Sequence, residues 1–417
     1  MKNVWRERYQ DIDTGSPEAD VLTGFNANID AKYDVSQLSG ELERVDPEEV
    51  EEADSREEFL SLLKYCIENG ENKEVNYQNF EPGIEADKEE IGGQAGIMAN
   101  FLCGTGNSTV FYTPFLSDRL AENLEPELKY PVNSGEGLEL EKIEQAANTD
   151  RTKVNHIFEF DGEKTGRLIL SDKLRGFGPY FRKGVEDHIQ QLDEDLDRVL
   201  LSGFHNADGN IEAKLKKASQ QLEKFSTPVH MEYVDLSSKL NLLEKYIFPH
   251  VQSIGLDEYE MKALEEALDV QLDGEEPSLG EAFQFAKFFI EEFGLDRVHI
   301  HTYGYHVNVT TENYGVSPEK IRESMLYGET CAVQMADEGE IPEDVDTLDF
   351  DNKHVKKLDD LENFEEFLGL EEFTREGIGK VEGYNVVAIP PVIHEDPERL
   401  VGMGDVISAG SFVKEVN

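Results

Sequence analysis

The chain has 417 residues, 89 of them Asp or Glu against 39 Lys or Arg, a formal net charge of −50, and 38% hydrophobic residues. That length accommodates one large domain with an insert, or two domains, with ample material for a buried core. The charge argues against a nucleic-acid binder, because no basic stripe exists to neutralise phosphates.

In chain order, ADVLTGFNANID reads as a strand running into a loop, and IGGQAGIMANFLCGTG as a glycine turn followed by a helix. NSTVFYTPFL is a strand, and NHIFEF and GRLILS are a strand pair joined by the DGEKT turn. RVLLSGFH, PVHMEYVD, SIGLDEYE, RVHIHTYGYHVNV and YNVVAIPPVI read as short buried strands ending in polar residues. NIEAKLKKASQQLEKF and LGEAFQFAKFFIEEFG are helices between them. This alternation predicts an α/β fold, a parallel-rich sheet with helices on both faces. Ligands bind such sheets at the strand C-termini. The hairpin region breaks the pattern and reads as a β-rich lid. The expected division is a large domain from 1–30, 52–108 and 185–417, with a lid from 31–51 and 109–184.

The acids are spread from DPEEVEEADSREE to EGEIPEDVDTLDFD rather than gathered in a tail. Such a surface suits a salty cytoplasm, where a Debye length of about 3 Å at molar salt screens self-repulsion. Cys66, Cys103 and Cys331 are isolated and odd in number, which fits reduced thiols rather than a disulfide framework or a zinc site. The N-terminus has no signal-type apolar core, and no run of about 18 apolar residues occurs. A soluble cytoplasmic protein that avoids membranes is therefore expected, with no oligomeric state fixed.

The chemistry concentrates near the C-terminus. In LVGMGDVISAGSF, small residues let a backbone approach a ligand, and the helix start offers unpaired N–H groups to an anion. Asp405 there serves either as an N-cap or as a base for a hydroxyl attacking a phosphate.

VGMGDVISAGSF resembles the Gly-x-Gly-Asp motif of ribokinase-like sugar kinases, and its context that of the archaeal ADP-dependent glucokinase and phosphofructokinase family. GFNANID, GGQAGIMAN, NHIFEF, LLSGFH, VHMEYVD, SIGLDEYE and RVHIHTYGYH resemble further stretches of that family in the same order. The resemblance implies a ribokinase-like three-layer α/β/α domain carrying a smaller β-rich lid. It also implies transfer of the β-phosphoryl of ADP to a sugar, with Mg²⁺. Asp405 would then be the base, and Gly402, Met403 and Gly404 the anion hole. Glu232, paired with His230 on one strand face, would organise the metal with Glu260 and Asp405. Asp257 stands where many members carry Asn, adding a charge beside Mg²⁺. Carboxylates and retained waters suit this ion, so water-mediated contacts are expected.

The same resemblance assigns the sugar to Asn28, Asp30, Glu74, Gly92, Gly93, Gln94 and His156, and the nucleotide to His301, Thr302 and Gly404. The stretch LDFDNKHVKKLDDLENFEEFL is expected to skirt the adenine. SDKLRGFGPYFRKG places Lys173, Arg175, Arg182 and Lys183 together in a chain poor in cations, a clamp for a sugar phosphate. That favours fructose 6-phosphate, while Glu74 points to glucose or to dual specificity. An ATP-dependent ribokinase-like kinase and a non-catalytic sugar sensor are the remoter alternatives.

Overall fold

The computed structural model describes residues 1–77, 80–161, 164–234, 236–268, 270, 272, 277–399 and 401–416. Asp235, Leu400 and two residues of the DGEKT turn lie outside them. Two sheets dominate. The larger has eleven strands. Its centre is a parallel run of Arg297–His301, Ser253–Asp257, Val229–Glu232, Arg198–Leu201, Asp20–Gly24, Ser108–Tyr112 and Lys129–Asn133. Antiparallel strands flank it, with His306–Thr311, Tyr384–Ile389 and Ile378–Val381 on one side and Leu138–Lys142 on the other. The central strands are almost wholly buried, as near-continuous apolar runs such as RVLL require. Their register aligns Glu232 with Gly255 and Asp257 with His301 along one C-terminal edge.

The smaller sheet has six strands, in the order Glu52–Ala53, Lys73–Tyr77, Thr165–Ser171, Val154–Asp161, Asn28–Asp34 and Lys88–Gly92. Helix Arg56–Asn69 covers one face, where Phe59 packs on Phe158 at 4.7 Å. This membership corrects the expected boundaries. Residues 52–92 supply three strands of the small sheet, whereas 108–142 hydrogen-bond into the large one. Asn107 explains part of the second shift, since its side chain ties strand Ser108–Tyr112 to Ala19 beside the first strand.

Helix Met403–Lys414 packs on helix Pro318–Glu338. The latter starts at a Ser317 cap with proline next and ends at Gly339 with φ +75°. The two helices touch where Gly328 meets Gly410. A Cβ on Gly328 would lie 2.5 Å from the Ile407 carbonyl, so only glycine permits this approach.

Candidate active site

The turn before Asp405 is held from several sides. Gly402 caps the helix with φ +84°, and Arg399, only 8% exposed, donates from Nε to the Val401 carbonyl at 3.0 Å. Gly404 lies under His301, whose Nε2 would be 2.6 Å from an added Cβ. Backbone N–H groups of the first helical turn lack intrahelical acceptors, so Met403, Gly404 and Asp405 present donors to an anion.

Four acids gather at this edge. Asp405 is half-buried, and burial followed by the Glu232 charge pushes its carboxyl well above the usual range, while Arg399 opposes this. Glu260 is pushed up to about 10, first by burial and then by Asp257, with Glu232 and Asp405 adding to it. Asp257 and Glu260 form a reciprocal cap on helix Glu258–Leu268. The Asp257 N–H donates to Glu260 Oε2 at 2.9 Å, and the Glu260 N–H to Asp257 Oδ1 at 2.8 Å. Asp257 thus does the local work an Asn would do, and adds a charge. Glu232 behaves differently. Burial opposes its ionisation, yet the hydrogen bond from His230 at 2.6 Å holds its carboxyl below the usual range. Among the described residues, no three His, Cys, Asp or Glu side chains converge tightly enough to cage a metal. The donor set fits Mg²⁺ held through water: repelling carboxylates, of which Asp257 and Glu260 each keep one oxygen outside their mutual cap, beside a helix start with free N–H groups.

Of the residues expected to face a nucleotide, His301 sits against Gly404 with its Nδ1 buried and unpartnered among the described residues. Thr302 is a correction. Its hydroxyl donates to the Tyr305 carbonyl at 2.8 Å and accepts from Gly304 and Tyr305, so it is spent on its own turn. Beyond that turn, an apolar cavity of about 550 Å³ opens between helices Leu279–Phe293 and Asp359–Leu368.

Among the residues expected to take a sugar, strand alternation decides which side of the small sheet each faces. Asn28 donates to Asp30 at 2.7 Å, and Asn155, opposite Asp30 in register, donates to the same oxygen at 3.1 Å. Ser171 completes the row through Asn155 at 3.2 Å. Gly92 must be glycine, because a Cβ there would meet Asn28 and Asp30 at 2.4 Å. Gly93 turns the chain with φ +75°, and Gln94 Oε1 is buried without a partner among the described residues. A cavity of about 260 Å³ is lined by Glu74, Asn76, Lys153, Ser171, His205 and Asn206 among others. It shares Asn76, Asp172, Lys173 and Asp208 with an outer cavity of about 640 Å³ that adds Arg151 and Arg175.

His156 is the main correction. It points to the opposite face, where Tyr33 and Tyr77 hydroxyls hold its Nδ1 and Nε2 at 2.7 and 2.8 Å. Both ring nitrogens are thereby satisfied in an aromatic core, and burial pushes the ring down to about 4. Its neighbours Lys153 and Asn155 face the cleft instead. The signal was present in KVNHIFEF, where Val154, Phe158 and Phe160 mark the apolar parity that His156 shares. The expected cation cluster also changes membership. Arg182 stacks on Phe115 and Tyr180 and donates to the Gly176 carbonyl, outside both cavities. Lys183 pairs with Asp150 at 3.1 Å. Arg151, too far upstream to join the cluster in sequence, takes their place.

Residues 19–414 match the ADP-specific phosphofructokinase/glucokinase conserved region. An ADP-specific phosphofructokinase of Pyrococcus horikoshii is 26% identical over 94% of this chain and 96% of its own length. An ADP-dependent glucose/glucosamine kinase of Pyrococcus furiosus is 26% identical over 99% of this chain and 98% of its own. Among solved structures, an ADP-dependent kinase in complex with fructose-6-phosphate and ADPβS superposes with a TM-score of 0.82 at 25% identity, covering 100% of this chain and 97% of that one. The chain therefore belongs to the ADP-specific phosphofructokinase/glucokinase family.

Proposed function

We propose that this chain is a Mg²⁺-dependent kinase that moves the β-phosphoryl of ADP to the 1-hydroxyl of fructose 6-phosphate, releasing AMP and fructose 1,6-bisphosphate. The carrying observation is Arg175. It lines the outer cavity beside Lys173 and Arg151, and its charge acts on Asp208 in the same lining without an ion pair to any described residue. Arg151 is committed to Asp172 at 2.7 Å, and Lys173 lies 3.9 Å from Glu52. In a chain of net charge −50, a guanidinium fork held by no ion pair, beside a pocket lined by amides, carboxylates and Lys153, suits a phosphate on the sugar. The complex of a relative with fructose-6-phosphate supports this reading.

The sugar ring lies against Gly92 and Gly93, with Asn28, Asp30, Asn155 and Lys153 taking its hydroxyls. Asp405 accepts the proton of the attacking hydroxyl. Burial and the Glu232 charge raise the proton affinity of its carboxyl, and Arg399 opposes that rise. The N–H groups at Met403, Gly404 and Asp405 face the phosphoryl in transit. Glu260, with Glu232 and Asp257, would hold Mg²⁺ through water, and the ion would neutralise charge on the phosphates. The adenine is assigned to the apolar cavity beyond the Thr302–Tyr305 turn.

Glucose is the second reading, and Glu74 favours it, since a carboxylate in the inner cavity suits neutral hydroxyls rather than a phosphate. AMP release from ADP in concentrated KCl, with either sugar, separates the two. The Arg151→Ala/Arg175→Ala pair is expected to raise the KM for fructose 6-phosphate by about tenfold or more, the scale of one charge-assisted contact. Turnover of glucose stays level. Unchanged fructose 6-phosphate kinetics would overturn the assignment.

A further inference from the structure

Behind Glu232 runs an unbroken line of buried hydrogen bonds that reaches the far end of the helix bearing Asp405. His230 Nε2 lies 2.6 Å from Glu232 Oε1, and its Nδ1 lies 2.7 Å from Ser253 Oγ. Arg297 Nη1 donates to that same Ser253 oxygen at 2.9 Å, and Arg297 Nε to Glu415 Oε1 at 3.1 Å. Glu415 immediately follows helix Met403–Lys414. The line follows from strand register, since His230 stands opposite Ser253 and Ser253 opposite Arg297. Phe412 closes it from the side, 4.9 Å from the His230 ring and 5.4 Å from the Arg297 guanidinium. Arg297 and His230 are both 0% exposed.

The donor inventory gives the line a direction. A guanidinium only donates, so one lone pair of Ser253 Oγ is taken by Arg297. The Ser253 proton is then free to go to His230 Nδ1. A neutral ring accepting at Nδ1 carries its own proton on Nε2, which donates to Glu232. The opposite tautomer would set a lone pair against a carboxylate oxygen at 2.6 Å.

We infer that Arg297 and Ser253 are positioning residues for phosphoryl transfer: they fix His230 as the Nε2–H tautomer and so hold Glu232 as an oriented carboxylate beside Asp405. The same arginine anchors Glu415, so one buried cation ties the C-terminal end of the helix bearing Asp405 to Glu232 through Ser253 and His230. The inference rests on the reading of Glu232 as part of the Mg²⁺-organising set.

Nitrogen NMR of histidine-labelled protein, free of metal and nucleotide, reads the tautomer directly. The expected His230 signal in the wild type is the neutral Nε2–H form, and an Nδ1–H or doubly protonated ring would overturn the inference. The second arm is the Mg²⁺ dependence of Ser253→Ala. Loss of a group that orients a metal-organising ligand typically costs about tenfold or more in metal affinity. The Mg²⁺ midpoint should rise by about that factor while kcat at saturating Mg²⁺ stays near wild type. An unchanged midpoint would overturn the positioning role. Arg297→Lys keeps the charge but not the two-pronged geometry, and its midpoint answers the question if Ser253→Ala does not fold. A wild type indifferent to Mg²⁺ would instead remove the metal reading itself, and the NMR arm would then judge the relay alone.

Discussion

The two sheets use similar side chains in opposite ways. The large sheet presents its chemistry end-on. Glu232, Asp257 and His301 sit at strand C-termini, and Asp405 at a helix start, so backbone topology alone brings them to one edge. The small sheet presents its chemistry face-on. Asn28, Asp30, Asn155 and Ser171 reach the cleft only because strand alternation turns them there. An end-on site tolerates little choice of residue but survives small errors of register. A face-on site is lost by a slip of one residue.

Asp405→Asn tests the end-on site most severely. It keeps the size of the side chain and removes the proposed base, so kcat should fall by about 10²–10⁴ with sugar KM nearly unchanged. Steady-state AMP release measures both. A loss confined to KM would mean that Asp405 binds rather than reacts.

A smaller effect separates the two faces of the sheet. Asn155→Ala should raise sugar KM by about tenfold, from the loss of a hydrogen-bonding group and the release of Asp30. His156→Gln, one residue away, should leave KM within about twofold, because its ring lines neither cavity and its nitrogens are held by Tyr33 and Tyr77. Equal effects from both would show that the face assignment is wrong.

These contrasts also explain what the sequence disclosed. GMGD, His-x-Glu and the acid pair of SIGLDEYE were legible because an end-on site needs contiguous motifs at strand and helix ends. The strand pair NHIFEF and GRLILS was legible from its alternation and turn. His156 was misplaced because histidine was selected by its chemistry, when the parity of Val154, Phe158 and Phe160 governs its direction. Arg182 was misplaced because local crowding of cations does not reveal that Phe115, far back in the chain, stacks on one of them. Arg151 and the Ser253–Arg297 link join residues distant in sequence, and only the folded register puts them together.

The smallest expected effect is thermodynamic and belongs to the tyrosine face alone. His156 titrates near 6.5 when unfolded and near 4 when folded, because burial opposes its charge. Between those values the unfolded chain binds more protons, so stability rises with pH across this window and falls as acid is added. At pH 4.5 the loss relative to pH 7 amounts to roughly 2–3 kcal/mol from this ring, an order-of-magnitude figure. A glutamine still reaches the hydroxyls of Tyr33 and Tyr77 but does not titrate. Denaturant melts at the two pH values should therefore show His156→Gln losing less stability on acidification than the wild type, by about that amount. Equal losses would mean that the ring is already solvated in the folded state. His156 would then open toward water, and the sheet would no longer have one reactive face and one structural face.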